Sequence, residues 1–151
     1  MSTRVFLTHD DGFLALQNGT VDWATDDVYA VLVTHAHGTP DRATETEYSD
    51  ISTDECSDLD YVRQAVGSKT ITLNGTNIKF DCAKILFGES VQIEARYLYF
   101  LVGTAATPAS TDLILGHVDL TGDGDANSGG LEFSFTPASS GLFYYGRSAA
   151  A

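Results

Sequence analysis

Two histidines spaced two apart, His35 and His37, follow the apolar run "VYAVLV" in the stretch Val28 to Arg42, "VYAVLVTHAHGTPDR". If the strand implied by that run continues through them, both imidazoles point to one face. Paired imidazoles on one face are the start of a zinc site. Zinc held there would lower the pKa of a bound water and make it a nucleophile at neutral pH.

A hydrolase of the metallo-β-lactamase type needs T-H-x-H-x-D-H. Here Thr39 and Pro40 stand where the Asp and the third His belong, Asp41 is displaced, and only His9 and His117 remain as distant ligands. The pair therefore reads as strand-end histidines at a loop or subunit contact. A second oxygen-rich stretch, "DLTGDGDANSGG", offers Asp119, Asp123, Asp125 and Asn127, donor types that suit calcium. Counted from Asp119, the EF-hand register puts Gly124 where a glycine belongs, but Gly130 where a bidentate Glu is needed. Counted from Asp123, Ser128 replaces the glycine. The stretch reads as a flexible turn, with Asp119, Asp123 and Asp125 as weak metal candidates only. There is no G-x-S-x-G, no P-loop and no G-x-G-x-x-G after a strand. No catalytic group and no cofactor is expected, and the chain is read as non-enzymatic.

The elements around these residues are short. "HDDGFLALQNG" predicts a short helix, capped by Asp10 or Asp11 and stopped at Asn18-Gly19. "TVDWATDDVYAVLV" predicts a strand, an Asp-rich turn and a second strand, Val28 onward, apolar on both faces and so covered on both. Residues 38–60 form a long acidic loop with one helical turn near Tyr48–Ile51, and loops of that length are commonly functional or interacting. Asn74-Gly75 between two β-branched runs predicts a type I′ hairpin. "SVQIEARYLYFLV" predicts one strand with Val91, Ile93, Ala95, Tyr97 and Tyr99 on one face. "DLILGHVDL" is a further strand, "LEFSFTP" turns Leu131, Phe133 and Phe135 inward, and "GLFYYG" closes the domain. About eight strands with one short N-terminal helix and long loops predict an all-β fold, a β-sandwich or jelly roll.

Composition sets the outer limits. A chain of 151 residues with 43% hydrophobic and 19% charged residues fits one globular domain, 1–151. Eight basic against 21 acidic residues leave a net charge of −13, with Asp outnumbering Glu 15 to 6. Such a surface repels phosphate backbones, so no nucleic-acid partner is expected. No apolar run approaches a membrane span, and "MSTRVFLTHDDGFLAL" has no secretory h-region. Cys82 reads as a buried thiol, and a Cys56–Cys82 bridge stays open. The aromatics of "ARYLYFLV" and "FYYGR" lack basic neighbours and read as core or interface packing.

The order of segments resembles the small virion structural proteins of tailed phages, the capsid decoration or cement proteins. In that family a short helix leads to "NGT[IV]D", a strand and a "TPD" loop, here "LQNGTVDWATDDVYAVLV" and "GTPDRATETEYSDI". A K-T-[IV]-T hairpin follows in "DYVRQAVGSKTITLNGTNIKFDCAKILF", then I-x-A-R-Y in "VQIEARYLYFLV" and a strand like "LILGHVDL". The resemblance runs from Phe13 to Phe135 and departs at Trp23, at "HAHG" and in the tail "FYYGRSAAA". It implies a protein on the capsid exterior that binds the major capsid protein, bridges capsomers and contacts copies of itself. The expected contacts are an N-terminal arm, 1–8, with Val5, Phe6 and Leu7; the acidic loop, with His35, His37, Asp41 and Arg42; and a C-terminal tail, 142–151, with Leu142, Phe143, Tyr144 and Tyr145. A tail, baseplate or head-fibre component is an alternative. So is a carbohydrate-binding β-sandwich that stacks sugars on Trp23 and the tyrosines.

Overall fold

A computed structural model describes residues 4–146. The described residues are mostly β, built from antiparallel strands with one α-helix. In chain order the elements are β1 (Phe6–Thr8), α1 (Asp10–Gln17), β2 (Val28–Val33), β3 (Gln64–Ala65), β4 (Thr70–Asn74), β5 (Asn77–Asp81), β6 (Ile85–Gly88), β7 (Glu94–Ala95), β8 (Tyr97–Val102), β9 (Ile114–Asp119), β10 (Ala126–Asn127), β11 (Phe133–Phe135) and β12 (Phe143–Gly146). The largest sheet has the order β1-β9-β8-β2-β3. Three small sheets, β12-β5-β4, β11-β6 and β10-β7, complete the framework.

β2 is buried along its whole length, as its two apolar faces require. Val28, Ala30 and Leu32 join the main core, with Phe100 and Leu115 of the large sheet and Phe80, Phe87, Phe135 and Phe143 of the small ones. Tyr29, Val31 and Val33 face the other way, into a second cluster with Tyr97, Tyr99, Leu101 and Ile114. That second face is roofed by the acidic segment, whose Ile51 is fully buried there with Tyr48 packed alongside.

Several expected elements differ. Nothing before Val28 in "TVDWATDD" is strand, because Asp22 Oδ1 accepts the Ala24 N–H and Asp26 Oδ2 the Asp22 N–H, closing the segment into turns. His9, not an aspartate, holds the N-cap position of α1, and Asp10 and Asp11 fall in its first turn. "SVQIEARYLYFLV" is not one strand. β7 pairs with β10, the chain breaks at Arg96, and β8 then pairs with β2 and β9. The phase resets at the break, so Ile93 and Ala95 enter the main core while Tyr97 and Tyr99 enter the second. Leu131 is exposed, whereas Phe133 and Phe135 are buried. The hairpin closes on Asn74 and Asn77, so its loop residues are Gly75 and Thr76. Gly75 alone has positive φ, +64°, as a first loop position of the II′ kind demands and not as a type I′ Asn-Gly pair would.

The first and last described strands are part of the framework. β1 pairs with β9, and β12 pairs with β5. Phe143 stacks between Phe6 and Phe80, with ring centroids 4.7 and 4.4 Å away. Phe6, Leu142 and Phe143 are buried inside the chain, leaving Val5, Leu7 and Tyr144 exposed, and the Tyr145 side chain lies outside the described residues. The described parts of the segments read as arm and tail thus contain strands whose Phe6 and Phe143 rings complete one core, while residues 1–3 and 147–151 lie outside the described residues.

Candidate functional site

The strand ends before the histidines. Thr34 N–H bonds to Asp54 O, and His35–His37 form a 3-10 turn that Gly38 stops at φ +77°. With three residues per turn, positions two apart diverge instead of sharing a face. The two rings accordingly go to different partners. His35 meets Asp125 twice, through its backbone N–H at 2.8 Å and its Nδ1 at 2.7 Å. The largely buried His37 side chain lies between two carboxylates, with Nε2 2.8 Å from Glu45 and Nδ1 3.1 Å from Asp54.

Glu45 is the centre of a buried polar cluster that holds the acidic segment onto the sheet. Its Oε1 accepts the Tyr99 hydroxyl at 2.7 Å, and its Oε2 accepts His37 and the Asp41 N–H. Asp41 starts this turn, since its Oδ1 accepts the N–H groups of Ala43 and Thr44 and these bonds depress its pKa. The Glu45 carbonyl takes a bond from His9 Nδ1 at 2.9 Å. His9 Nε2 then lies 2.8 Å from His117 Nδ1. A carbonyl can only accept, so His9 carries its proton on Nδ1, and His117 must donate from its own Nδ1. Burial lowers the pKa of both rings. Arg42 fastens the same segment to β1 through the carbonyl and hydroxyl of Thr8.

A second node lies further along. Glu55 accepts the hydroxyls of Tyr48 and Tyr61 and an Arg63 N–H at 3.0 Å. Arg63 Nε is 2.9 Å from Glu55 Oε2, close enough for ion pairing but outside hydrogen-bond alignment. Tyr61 in turn accepts the Leu32 N–H. These groups line an open groove of about 860 Å³, in which Glu55 and Arg63 pair with each other. Backbone bonds from Cys56 to Leu32 and from Ile114 to Thr46 complete the attachment. Residues 38–60, expected as a long acidic loop, are an irregular segment fastened to the sheet by these bonds. Its single predicted helical turn is two 3-10 turns, Tyr48–Asp50 and Ser52–Asp54, the first with a reciprocal Glu47–Asp50 capping box.

The calcium candidates do not converge. Asp119 binds Arg96 and the N–H groups of Thr121 and Gly122, Asp125 binds His35, Asn127 donates to Glu94, and Asp123 is exposed. Among the described residues no three His, Cys, Asp or Glu side chains are grouped to hold a metal. Cys56 and Cys82 are separate buried thiols. Trp23 is fully buried with its indole N–H on Asp81 O, so it offers no stacking face to a sugar.

Sequence reasoning reached His35, His37, Asp41 and Arg42 but passed over Glu45, Tyr99, Glu55, Tyr61 and Arg63. One signal was visible: His117 interrupts the apolar run "LILGHV", and a polar side chain inside a covered strand needs a buried partner. No family model, curated protein or solved structure matches the chain.

Proposed function

We propose that this chain is a capsid decoration protein of a tailed phage, a β-sandwich that sits on the exterior of the major capsid shell and bridges neighbouring capsomers. The observation that carries this reading is the use made of its reactive groups. All four histidines and the carboxylates of Glu45, Asp54, Glu55 and Asp125 bond to one another or to tyrosine, arginine and backbone groups. They fasten a long acidic segment to the sheet, as the exposed loop of a surface clamp requires. The order of motifs from Phe13 to Phe135 supports the same reading. A net charge of −13 suits a face turned away from packaged DNA. Short strands with open edges suit the addition of a partner's strand.

Copy number tests it. Quantitative mass spectrometry of purified particles should find about as many copies of this chain as of the major capsid protein. A handful of copies per particle would overturn the shell assignment in favour of a tail, baseplate or head-fibre position on the same framework.

A further inference from the structure

The β12-β5-β4 sheet has an open edge. β4 pairs with β5 on one side and with no strand on the other among the described residues. Residues directly opposite across an antiparallel pair share a face. Ile71, Leu73, Ile78 and Phe80 therefore share one. Phe80 anchors that face in the main core, but towards the turn the face runs beyond the core. Ile71 is 44% exposed, Ile78 41% and Leu73 81%. A two-residue loop makes Asn74–Asn77 a hydrogen-bonded pair, so Thr72 and Thr70 direct their backbone groups at β5 and Ile71 and Leu73 direct theirs outward. Natural edges are usually guarded by a charge, a proline or a bulge. Thr70–Asn74 has neither charge nor proline, and its pairing with β5 has no bulge.

Charge and register select what binds there. In a chain of −13, acid-bearing surfaces repel their own copies. Residues 61–80 are the longest stretch without an acidic residue and carry Arg63, Lys69 and Lys79. Lys79 is itself neutralised by Asp81 at 3.4 Å. The β4 edge thus presents no carboxylate of its own to a second copy. The strand is also complementary to itself. With Thr72 opposite Thr72, Ile71 falls opposite Leu73, and the outward backbone groups of both residues meet as hydrogen-bonded pairs.

We infer that β4 pairs antiparallel with β4 of a second copy about a two-fold axis at Thr72, joining two three-stranded sheets into one of six strands. Four interchain backbone hydrogen bonds form, and the exposed apolar side chains of both copies line one continuous face. One five-residue strand from each copy makes the contact, so the dimer forms at high protein concentration, or where copies are held close, and is lost on dilution. This pairing stands apart from the virion reading, since it belongs to the purified chain.

A cysteine at the axis reports it directly. Cα atoms of a non-hydrogen-bonded antiparallel pair lie about 4.5 Å apart, within disulfide reach, and both native thiols are buried. Thr72→Cys should give a cross-linked dimer under mild oxidation, while Thr107→Cys, also exposed but remote, should not. In sedimentation equilibrium, Ile71→Pro, which removes an outward N–H and spares the bonds to β5, should shift the protein to monomer. Leu73→Lys makes the same test should the proline unfold the hairpin. Cross-linking of Thr72→Cys no faster than the control, or a wild-type chain that is monomeric at every concentration, would overturn the pairing, and neither outcome touches the copy number in particles.

Discussion

His9 Nε2 lies 2.8 Å from His117 Nδ1, in a bond that only neutral His9 can accept. His9 is lowered in pKa chiefly by burial, and His117 by burial and then by His9 itself, to about 4, with Arg42 acting in the same direction and Glu45 against it. Above pH 6.5 both the folded and the unfolded chain hold these rings neutral. As the pH falls below 6.5 the unfolded chain takes up protons that the folded chain refuses. Stability should be lost progressively down to about pH 4, on the order of 3 kcal/mol through His117 alone. Denaturant unfolding across that window measures it, and a flat profile between pH 6.5 and 4.5 would contradict it. Imidazole ¹⁵N shifts at neutral pH should report the Nδ1–H tautomer at both rings.

Glu45 accepts three hydrogen bonds from a buried position. Glu45→Ala leaves the Tyr99 hydroxyl and His37 Nε2 without their acceptor, and leaving such buried groups unpaired costs about 1–3 kcal/mol each. Hydrogen exchange should speed up most in the segment 41–55. Uniform acceleration across the chain would mean that Glu45 does not hold this layer in particular.

Gly12 of α1 lies against the β9 backbone. A Cβ there would sit 2.7 Å from Leu115 Cα and closer still to the Ile114 carbonyl oxygen, with no flexible side chain able to yield. Gly12→Ala should cost about 2–3 kcal/mol, as overpacking against rigid neighbours does, and a wild-type melting temperature for the variant would refute this contact.

Asp119 and Asp125 already bind Arg96 and His35. Millimolar calcium, or its removal by a chelator, should leave the melting temperature unchanged, and calcium-dependent stabilisation would show that the loop rearranges into a site. Asp125→Asn should cost under about 1 kcal/mol, because the His35 side chain is 58% exposed.

Burial pushes the Cys56 thiol up to about 11 and the Cys82 thiol up to about 12. The thiolate is the reactive form. Both residues should resist alkylation at neutral pH until the chain is unfolded, and rapid labelling of the folded protein would show that one of these sites opens.

Local pattern determined much of this protein. A strand apolar on both faces had to be covered twice, and "VYAVLV" is. A glycine between β-branched runs had to make a hairpin, although which residues fill the turn depended on a one-residue register that only pairing with β5 sets. Helix α1 and the strands around "LILGHVDL" and "GLFYYG" were legible for the same local reason. Tertiary structure decided the rest, because it depends on contacts far apart in sequence. The break at Arg96 comes from a strand changing partners, and Phe6 and Phe143 reach one core from opposite ends of the chain. The histidines met acceptors 90 residues away in one case and 108 in another. An acidic stretch with no apolar period reads as solvated loop, and only the placement of Tyr99, His37 and the β9 backbone turned a few of its carboxylates and carbonyls into buried fastenings of an otherwise solvent-facing segment.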